Sequence, residues 1–544
     1  MADIEFSDFS LLFPDKESET RHMAGDAAKI DDFTLEELGL AEILPLKSAS
    51  ISEFITKDPE VIRYREAVFA DLLANEEITQ TFGKLIPILH DIMELRRLET
   101  DSGDTADYLS GITEIELYIS SIDVLYQGFC KEKKSYASGA LTRLCEHICK
   151  LVESDYYAEL NDRLSELTSR VRDIKSVTVG VNLDAQLRPR DAGVLAINPE
   201  PFRSGDTLQK ILRLNFKDDE YTCIAELVPF GKKQTENQKT ALSLAFNAAI
   251  NDVYRHSLRS WKKIVQTYVL ENTDFLLNLL PEFELLVKGT NLIRALQIKG
   301  GAVTVPEILP AKARAFRAEG LYNPEVALKT DDKMVTNDIS FDENAGIYVL
   351  TGPNRGGKSV VTCAVGLIQA MAQLGLPVPA EKAVLSPVDK IFTHFPTGAE
   401  DTIDKGRLGE ECARLGEIFA EVSEESLVLL DETFSSTGSY EASYIAAEVL
   451  SGLSMAKCRC IFSTHLHQLA QEIDAINART VPNGGVAIDT LVAGIEGEGK
   501  RSFRILRAKP DGKSYARDIA AKYGLTYDEI LTKIKQNATP DKEV

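Results

Sequence analysis

The sharpest chemistry in the chain lies in Gly352-Pro353-Asn354-Arg355-Gly356-Gly357-Lys358-Ser359, which fits the pattern G-x-x-x-x-G-K-[ST]. It follows the apolar run GIYVLT and opens the helical pattern VVTCAVGLIQ, the context a phosphate-binding loop requires. Glycines at these points let main-chain N–H groups curl around phosphate oxygens, and the next helix aims the positive end of its dipole at them. Lys358 adds a charge at the β/γ position, and the Ser359 hydroxyl is placed to ligate Mg²⁺. The cofactor-binding candidates therefore run through Gly352, Pro353, Asn354, Gly356, Gly357, Lys358 and Ser359 to Val360.

Two further runs supply partners. Ser426–Leu430 ends in Asp431-Glu432, so a buried strand delivers two carboxylates at its C-terminal tip, where a parallel sheet binds ligands. Asp431 is placed to hold Mg²⁺, directly or through water, and Glu432 to polarise the attacking water as general base. The run RCIFST ends at Ser463-Thr464-His465, where His465 senses the γ-phosphate or orients that water. An acidic pair after a strand is often only a helix start, and a lone histidine is usually structural. In this order behind the glycine motif, the three together imply nucleoside triphosphate hydrolysis.

The elements that must position these residues follow from periodicity. From 305 onward, short apolar runs such as GIYVLT and SLVLLD alternate with helical stretches such as YEASYIAAEVLSGLS. That grammar predicts an α/β domain with a largely parallel sheet. Upstream the pattern is helical. A helix cap expected at Asp32 and Thr34 leads into LEELGLAEIL, within a segment of no assignable role. Apolar positions from Leu141 to Ile174 predict one long helix. Residues 176–230 are β-branched and punctuated by Gly and Pro, as in a small β insertion, and a second long helical stretch runs from about 235 to 272. The expected divisions are 1–45, 46–175, 176–234, 235–304 and 305–544.

With 544 residues, 44% of them hydrophobic, the chain can bury several cores, and neither one small domain nor global disorder fits. The 61 basic against 84 acidic residues leave a formal charge of −23, so any grip on nucleic acid must be local. No run approaches the length of a membrane span and no signal peptide opens the chain, so a cytoplasmic protein with reduced thiols is expected. Cys145, His147 and Cys149 read as buried thiols rather than ligands, because on a helix the cysteines share a face while the histidine points away.

At the same motifs the sequence resembles the MutS family of ABC-type ATPases. GPNRGGKS is similar to the family's GPNMGGKS, and Asp389–Asp401 (DKIFTHFPTGAED) to DRIFTRIGA-D-D. Leu429–Ala442 (LLDETFSSTGSYEA) is similar to LLDEIGRGTSTYDG, and Ser463–Leu469 (STHLHQL) to ATHYHEL. The resemblance implies a homodimeric Mg-ATPase that binds ATP at the subunit interface, its lever arms formed by the long helices and its reduced clamp by residues 176–234. It also implies a signature in trans at Gly406, Arg407, Leu408 and Gly409. There, Leu408-Gly409 replaces the family's Ser-Thr, so the hydroxyl that reaches the partner's γ-phosphate is missing. Met334 stands where an aromatic covers adenine, followed by Asn337 of the same segment; Tyr322-Asn323-Pro324 stands for a His-Pro pair, and Ser435-Ser436 for Arg-Gly. Mismatch-reading, connector and Smr domains are not expected.

DNA is the partner implied by resemblance, with duplex or branched DNA gripped near Arg255, Arg259, Lys262 and Lys263 beside Trp261. A solvated helix face explains those charges equally well. The competing reading is an ATP-gated scaffold for a protein or ribosomal partner, favoured by the acidic charge.

Overall fold

The computed structural model describes residues 9–101, 108–131, 136–172, 176–186, 189–198, 203–204, 222–223, 270–331, 334–342, 345–353, 355–395, 407–435, 437–496, 500–509 and 524–537. Its contacts gather into two compact units, one of Met1–Phe9 with Glu76–Phe283, the other of Ser10–Asn75 with Glu284–Val544. The divisions at 45/46 and 304/305 thus fall inside the second unit, because the helix Pro59–Ala74 buries Val61, Ile62, Val68, Phe69 and Leu72 there.

The first unit is mainly helical. Helices Glu76–Asp101, Tyr108–Leu125, Gly139–Val152, Asp155–Arg172 and Leu270–Asn278 bury stripes such as Phe82, Leu85, Leu89 and Ile92. Phe82 anchors them, its ring 4.7 Å from Phe283 and edge-on to Phe129 at 5.7 Å. The single helix expected over 141–174 is two helices. The apolar spacing skips from Leu151 to Leu160, and Ser154 ends the first helix by donating to the Leu151 carbonyl at 2.6 Å while its Oγ accepts from Tyr157 N at 3.2 Å, as a hydroxyl at an N-cap does. Beyond them β1 (Ser176–Leu183) and β2 (Pro189–Asn198) form an antiparallel hairpin, and β3 (Arg203–Ser204) pairs in parallel with β4 (Thr222–Cys223). The second long helical stretch lies outside the described residues up to 269.

The second unit carries two sheets. The smaller has the order β5 (Glu307–Ile308), β9 (Lys382–Leu385), β6 (Phe316–Leu321), β7 (Asn337–Phe341). The larger has the order β10 (Ile391–His394), β11 (Leu427–Asp431), β12 (Arg459–Ser463), β8 (Ile347–Thr351), β13 (Ile488–Glu496), β14 (Lys500–Arg507). Its first five strands are parallel and β14 is antiparallel. Every residue of β8, β11 and β12 is buried, as continuous apolar runs require when both faces of a parallel sheet are covered. Helices Ser439–Ala456 and His467–Thr480 bring Leu450, Leu453, Leu469 and Ile473 into one core with Val349, Val428 and Phe462. Helix Lys358–Gln373 lies close to β11 and β12.

The N-terminal segment covers the edge strand β10, which would otherwise expose unpaired backbone groups. Lys29 N donates to Asp389 O at 2.8 Å, Thr393 Oγ1 donates to Thr34 Oγ1 at 3.2 Å, and Phe395 N donates to Glu37 Oε1 at 3.0 Å. The helix cap is Asp31, one residue before the expected position. It accepts from Thr34 N at 2.7 Å and pairs with Arg414 at 3.0 Å. Gln373 ties the segment in from the other side, donating to Thr56 O and Val388 O, each at 2.9 Å.

Candidate functional site

The glycine loop leaves β8 in the middle of the larger sheet and ends on helix Lys358–Gln373. Gly352 has φ +142°, and a Cβ there would lie 2.6 Å from the Ala493 Cβ on β13. Gly357 caps the helix at φ +90°. These left-handed positions need glycine, and between them they turn the chain within one loop. Lys358 is buried, and its Nζ donates to the main-chain oxygens of Gly352 at 3.2 Å and Pro353 at 3.3 Å. Burial holds its ammonium below the ordinary lysine range, against the pull of the Glu432 and Asp431 charges.

Register brings the acids to the same sheet edge. Asp431 at the end of β11 pairs with Ser463 on β12, and Ser463 pairs with Leu350 on β8, two residues before Gly352. Asp431 is 3% exposed. Burial raises its carboxyl above the usual range, opposed by the nearby Ser359 and Ser463 hydroxyls and the Lys358 charge. Even so, Asp431 Oδ1 and Ser463 Oγ have no hydrogen-bond partner, and an unmet buried oxygen of this kind costs roughly 1–3 kcal/mol. The chain then turns sharply through left-handed Glu432 (φ +47°) and Phe434 (φ +67°), positions that non-glycine residues occupy only where packing enforces them. The buried Phe434 ring and a 2.8 Å bond from Glu432 N to Ser463 O hold this turn.

A cavity of about 440 Å³ opens over the loop, lined by Gly356, Gly357, Lys358, Ser359, Val360 and Glu432. Tyr322, Asn323, Met334, Val335, Asn337 and Phe503 also line it, Phe503 lying 3.6 Å from where a Cβ on Gly357 would stand. Met334 is in the wall. Asn337 is too, but its amide is already engaged: Nδ2 donates to Phe503 O at 3.3 Å and Oδ1 accepts from Ile505 N at 2.6 Å. Its work is to fasten β7 to β14. Phe503, held at φ +57°, brings into the wall an aromatic ring that no sequence motif marked. Only a local signal, an aromatic among the charged residues of KRSFRILR, hinted at it. The Tyr322 hydroxyl is buried without a partner, and burial pushes it up to about 12.

The remaining expected residues fall as follows. His465 follows Thr464, whose N–H donates to Leu350 O at 2.9 Å, so it stands at the loop's edge of the sheet, exposed and outside the cavity wall. Arg407, Leu408 and Gly409 start the helix Arg407–Glu421, where Leu408 packs on the chain's own core. Asn354, Gly406, Arg255, Arg259, Lys262 and Lys263 lie outside the described residues.

Comparison with known proteins bears on the same span. Residues 348–530 match the MutS domain V family and residues 57–298 the MutS2 N-terminal domain family. The chain belongs to the MutS family. One relative of this MutS-family chain is the DNA mismatch repair protein MutS of Methanothrix thermoacetophila, 28% identical over 82% of the chain and 56% of the relative. Another is the Endonuclease MutS2 of Streptococcus thermophilus, 32% identical over 38% of the chain and 25% of the relative. The DNA mismatch repair protein Msh6 of Gallus gallus is 40% identical over 26% of the chain and 11% of the relative. The chain spans about half or less of the length of these curated relatives. The domain V match contains Lys358, Ser359, Asp431, Glu432 and His465, whereas Tyr322, Met334 and Asn337 of the cavity wall precede it.

Proposed function

We propose that this MutS-family chain is a Mg-dependent ATPase with an ABC-type P-loop domain. The observation that carries this reading is the meeting of the loop, the cationic Lys358 and the unpartnered buried oxygen of Asp431 at one sheet edge beside a cavity that Glu432 lines. An unmet carboxylate oxygen with the Ser359 hydroxyl close by is the hard oxygen donor set that Mg²⁺ prefers. Ser359 and Asp431 would hold the ion, which supplies charge neutralisation at the phosphates.

Lys358 exchanges its two loop carbonyls for the β- and γ-phosphate oxygens. Met334 and Phe503 cover the base, the first with a polarizable thioether and the second with a ring face. Glu432 accepts a proton from water as the water oxygen attacks the γ-phosphorus, the bond to the bridging oxygen breaks, and ADP leaves. His465 orients that water or senses the γ-phosphate. A second copy of the chain completes the site in trans, and with Leu408 packed on its own core the trans contact is either weakened or made through Arg407.

ATP binding and hydrolysis gate the helical unit around DNA in repair or recombination, a coupling of about 1–3 kcal/mol, roughly 5–150-fold in affinity. The formal charge of −23 favours a second reading, a scaffold for a protein or ribosomal partner. Replacing Lys358 with Ala should abolish ATP binding in calorimetry, whereas Glu432→Gln should keep binding, lose about 10²–10⁴-fold in turnover and accumulate a dimer. Unchanged ATP affinity in the first variant, or unchanged turnover in the second, removes the assignment. Salt-titrated binding to linear, mismatched and four-way-junction DNA, with and without ATP, decides between the partners: an ATP-dependent, salt-sensitive affinity supports DNA, and its absence supports the scaffold.

A further inference from the structure

Cys130, Cys145 and Cys149 form the one group of at least three metal-ligating side chains that converges among the described residues, with all three Sγ atoms within 4.8 Å of one another. The placement follows from the helices. Cys145 and Cys149 are four residues apart on Gly139–Val152 and share a face. Cys130 ends the π-helical turn Tyr126–Cys130 that follows helix Tyr108–Leu125, and its carbonyl lies 3.9 Å from the Cys145 Sγ and 4.0 Å from the Cys149 Sγ. His147 takes no part, since its ring packs on Phe275 at 5.4 Å.

We propose that these three thiols form a binding site for a thiophilic d¹⁰ metal ion, with Zn²⁺ the divalent case. Three sulfurs, with a single backbone carbonyl beside two of them, make a soft donor set that disfavours Mg²⁺ and Ca²⁺ and selects Zn²⁺ or Cu⁺. At metal–sulfur bonds of about 2.3 Å, ligand sulfurs sit roughly 3.7–4.0 Å apart, so side-chain rotation alone closes the group. A disulfide, at about 2.05 Å between sulfurs, would join two of them and strand the third, and none is formed. Cys130 and Cys145 are buried and Cys149 is half-buried, so the ion enters past Cys149 and a water fills the fourth position there. Each thiol gives its proton to solvent and its sulfur lone pair to the ion: one Zn²⁺ and three S–H groups become a tris-thiolate of charge −1 and three released protons. Exposed Lys131 and Lys150, next in sequence to Cys130 and Cys149, carry the opposite charge. The ion joins two helices and so adds binding energy to the folded state.

The test uses the intact chain, reduced, stripped of metal and free of nucleotide, so that its outcome is independent of the ATPase assignment. Co²⁺ serves as the spectroscopic probe. The expected result is one Co²⁺ per chain with a sulfur-to-metal charge-transfer band that Zn²⁺ bleaches, and a Zn²⁺-dependent rise in Tm. Cys149→Ser, at the most exposed of the three positions, should lower Zn²⁺ affinity by more than the roughly 10–100-fold that loss of an outer-shell partner costs and should erase the Tm rise. Cys130→Ser should do the same where it folds. Cys412→Ser, at an exposed thiol elsewhere, should change neither. No charge-transfer band in the parent chain, a band retained in Cys149→Ser, or a band lost in Cys412→Ser overturns the site.

Discussion

The two ends of the larger sheet carry similar side chains and treat them in opposite ways. At the N-terminal end of β11, Asp389 accepts from Ser426 Oγ at 2.8 Å and from Ser423 Oγ at 2.7 Å. Beside it, at the start of β12, buried Arg459 donates to Ala315 O at 3.1 Å and Glu425 O at 3.3 Å. At the C-terminal end of the same strands, Asp431 keeps an oxygen unmet and Lys358 has only the loop's own carbonyls. A half-buried carboxylate with an acceptor bond on each oxygen stabilises the fold, and a buried one left short stores an appetite for a ligand. The difference lies in the acids: Asp389 is met on both oxygens, whereas Asp431 is left short beside a cavity, and at the Asp389 end it is the Nε of Arg459 that goes without a partner.

The comparison breaks first at Asp431. Its carboxyl is raised in the folded state, so its contribution is favourable at low pH and is lost as pH rises through the folded value; at neutral pH the charge costs stability. Asp431→Asn should therefore raise the Tm of the ligand-free chain at pH 7 while lowering Mg-dependent ATP turnover by about 100-fold or more. A lower Tm would mean the carboxylate is structural like Asp389. At the other end, Asp389→Ala should destabilise by about 2–3 kcal/mol in urea titrations, because two partly buried hydroxyls lose their acceptor, with ATP affinity unchanged. A tenfold affinity loss would erase the distinction between the ends.

Glu66 sharpens the contrast. Its Oε1 is also buried and unpartnered, and burial raises it to about 7, yet it lies outside the wall of the cavity over the glycine loop. The raised value means stability that is full below pH 4.5 and fades as pH climbs through 7. Glu66→Gln should flatten that decline, gaining about 1–2 kcal/mol at pH 8 after allowance for partial exposure, with ATP binding intact. The smallest effect is expected at Asp31→Ala, which removes a helix cap and the Arg414 pair for about 1 kcal/mol, read as a shift in urea midpoint.

What the sequence revealed was what neighbouring residues decide. The glycine motif, the paired acids and the Ser-Thr-His run each sit at the end of one apolar strand, and parallel pairing brings those ends together. What escaped depends on contacts between distant segments. Asn337 is spoken for by β14 some 166–168 residues later, and Phe503 enters the wall through the same pairing. Cys130 joins the other two thiols only because a turn folds one helix back on the next. The break after Val152 is local, made by Ser154, but the regular leucine spacing on either side masks it.

The cover over β10 also sets an order of events at the ribosome. Residues 10–75 emerge with their apolar face ready, but the strand they must shield, beginning at Ile391, is still some 315 codons away. At roughly 5–20 residues per second, that is a wait of about 15–60 s. During it the nascent segment carries Lys29, Thr34 and Glu37 without the partners on and beside β10 that they bond in the folded chain.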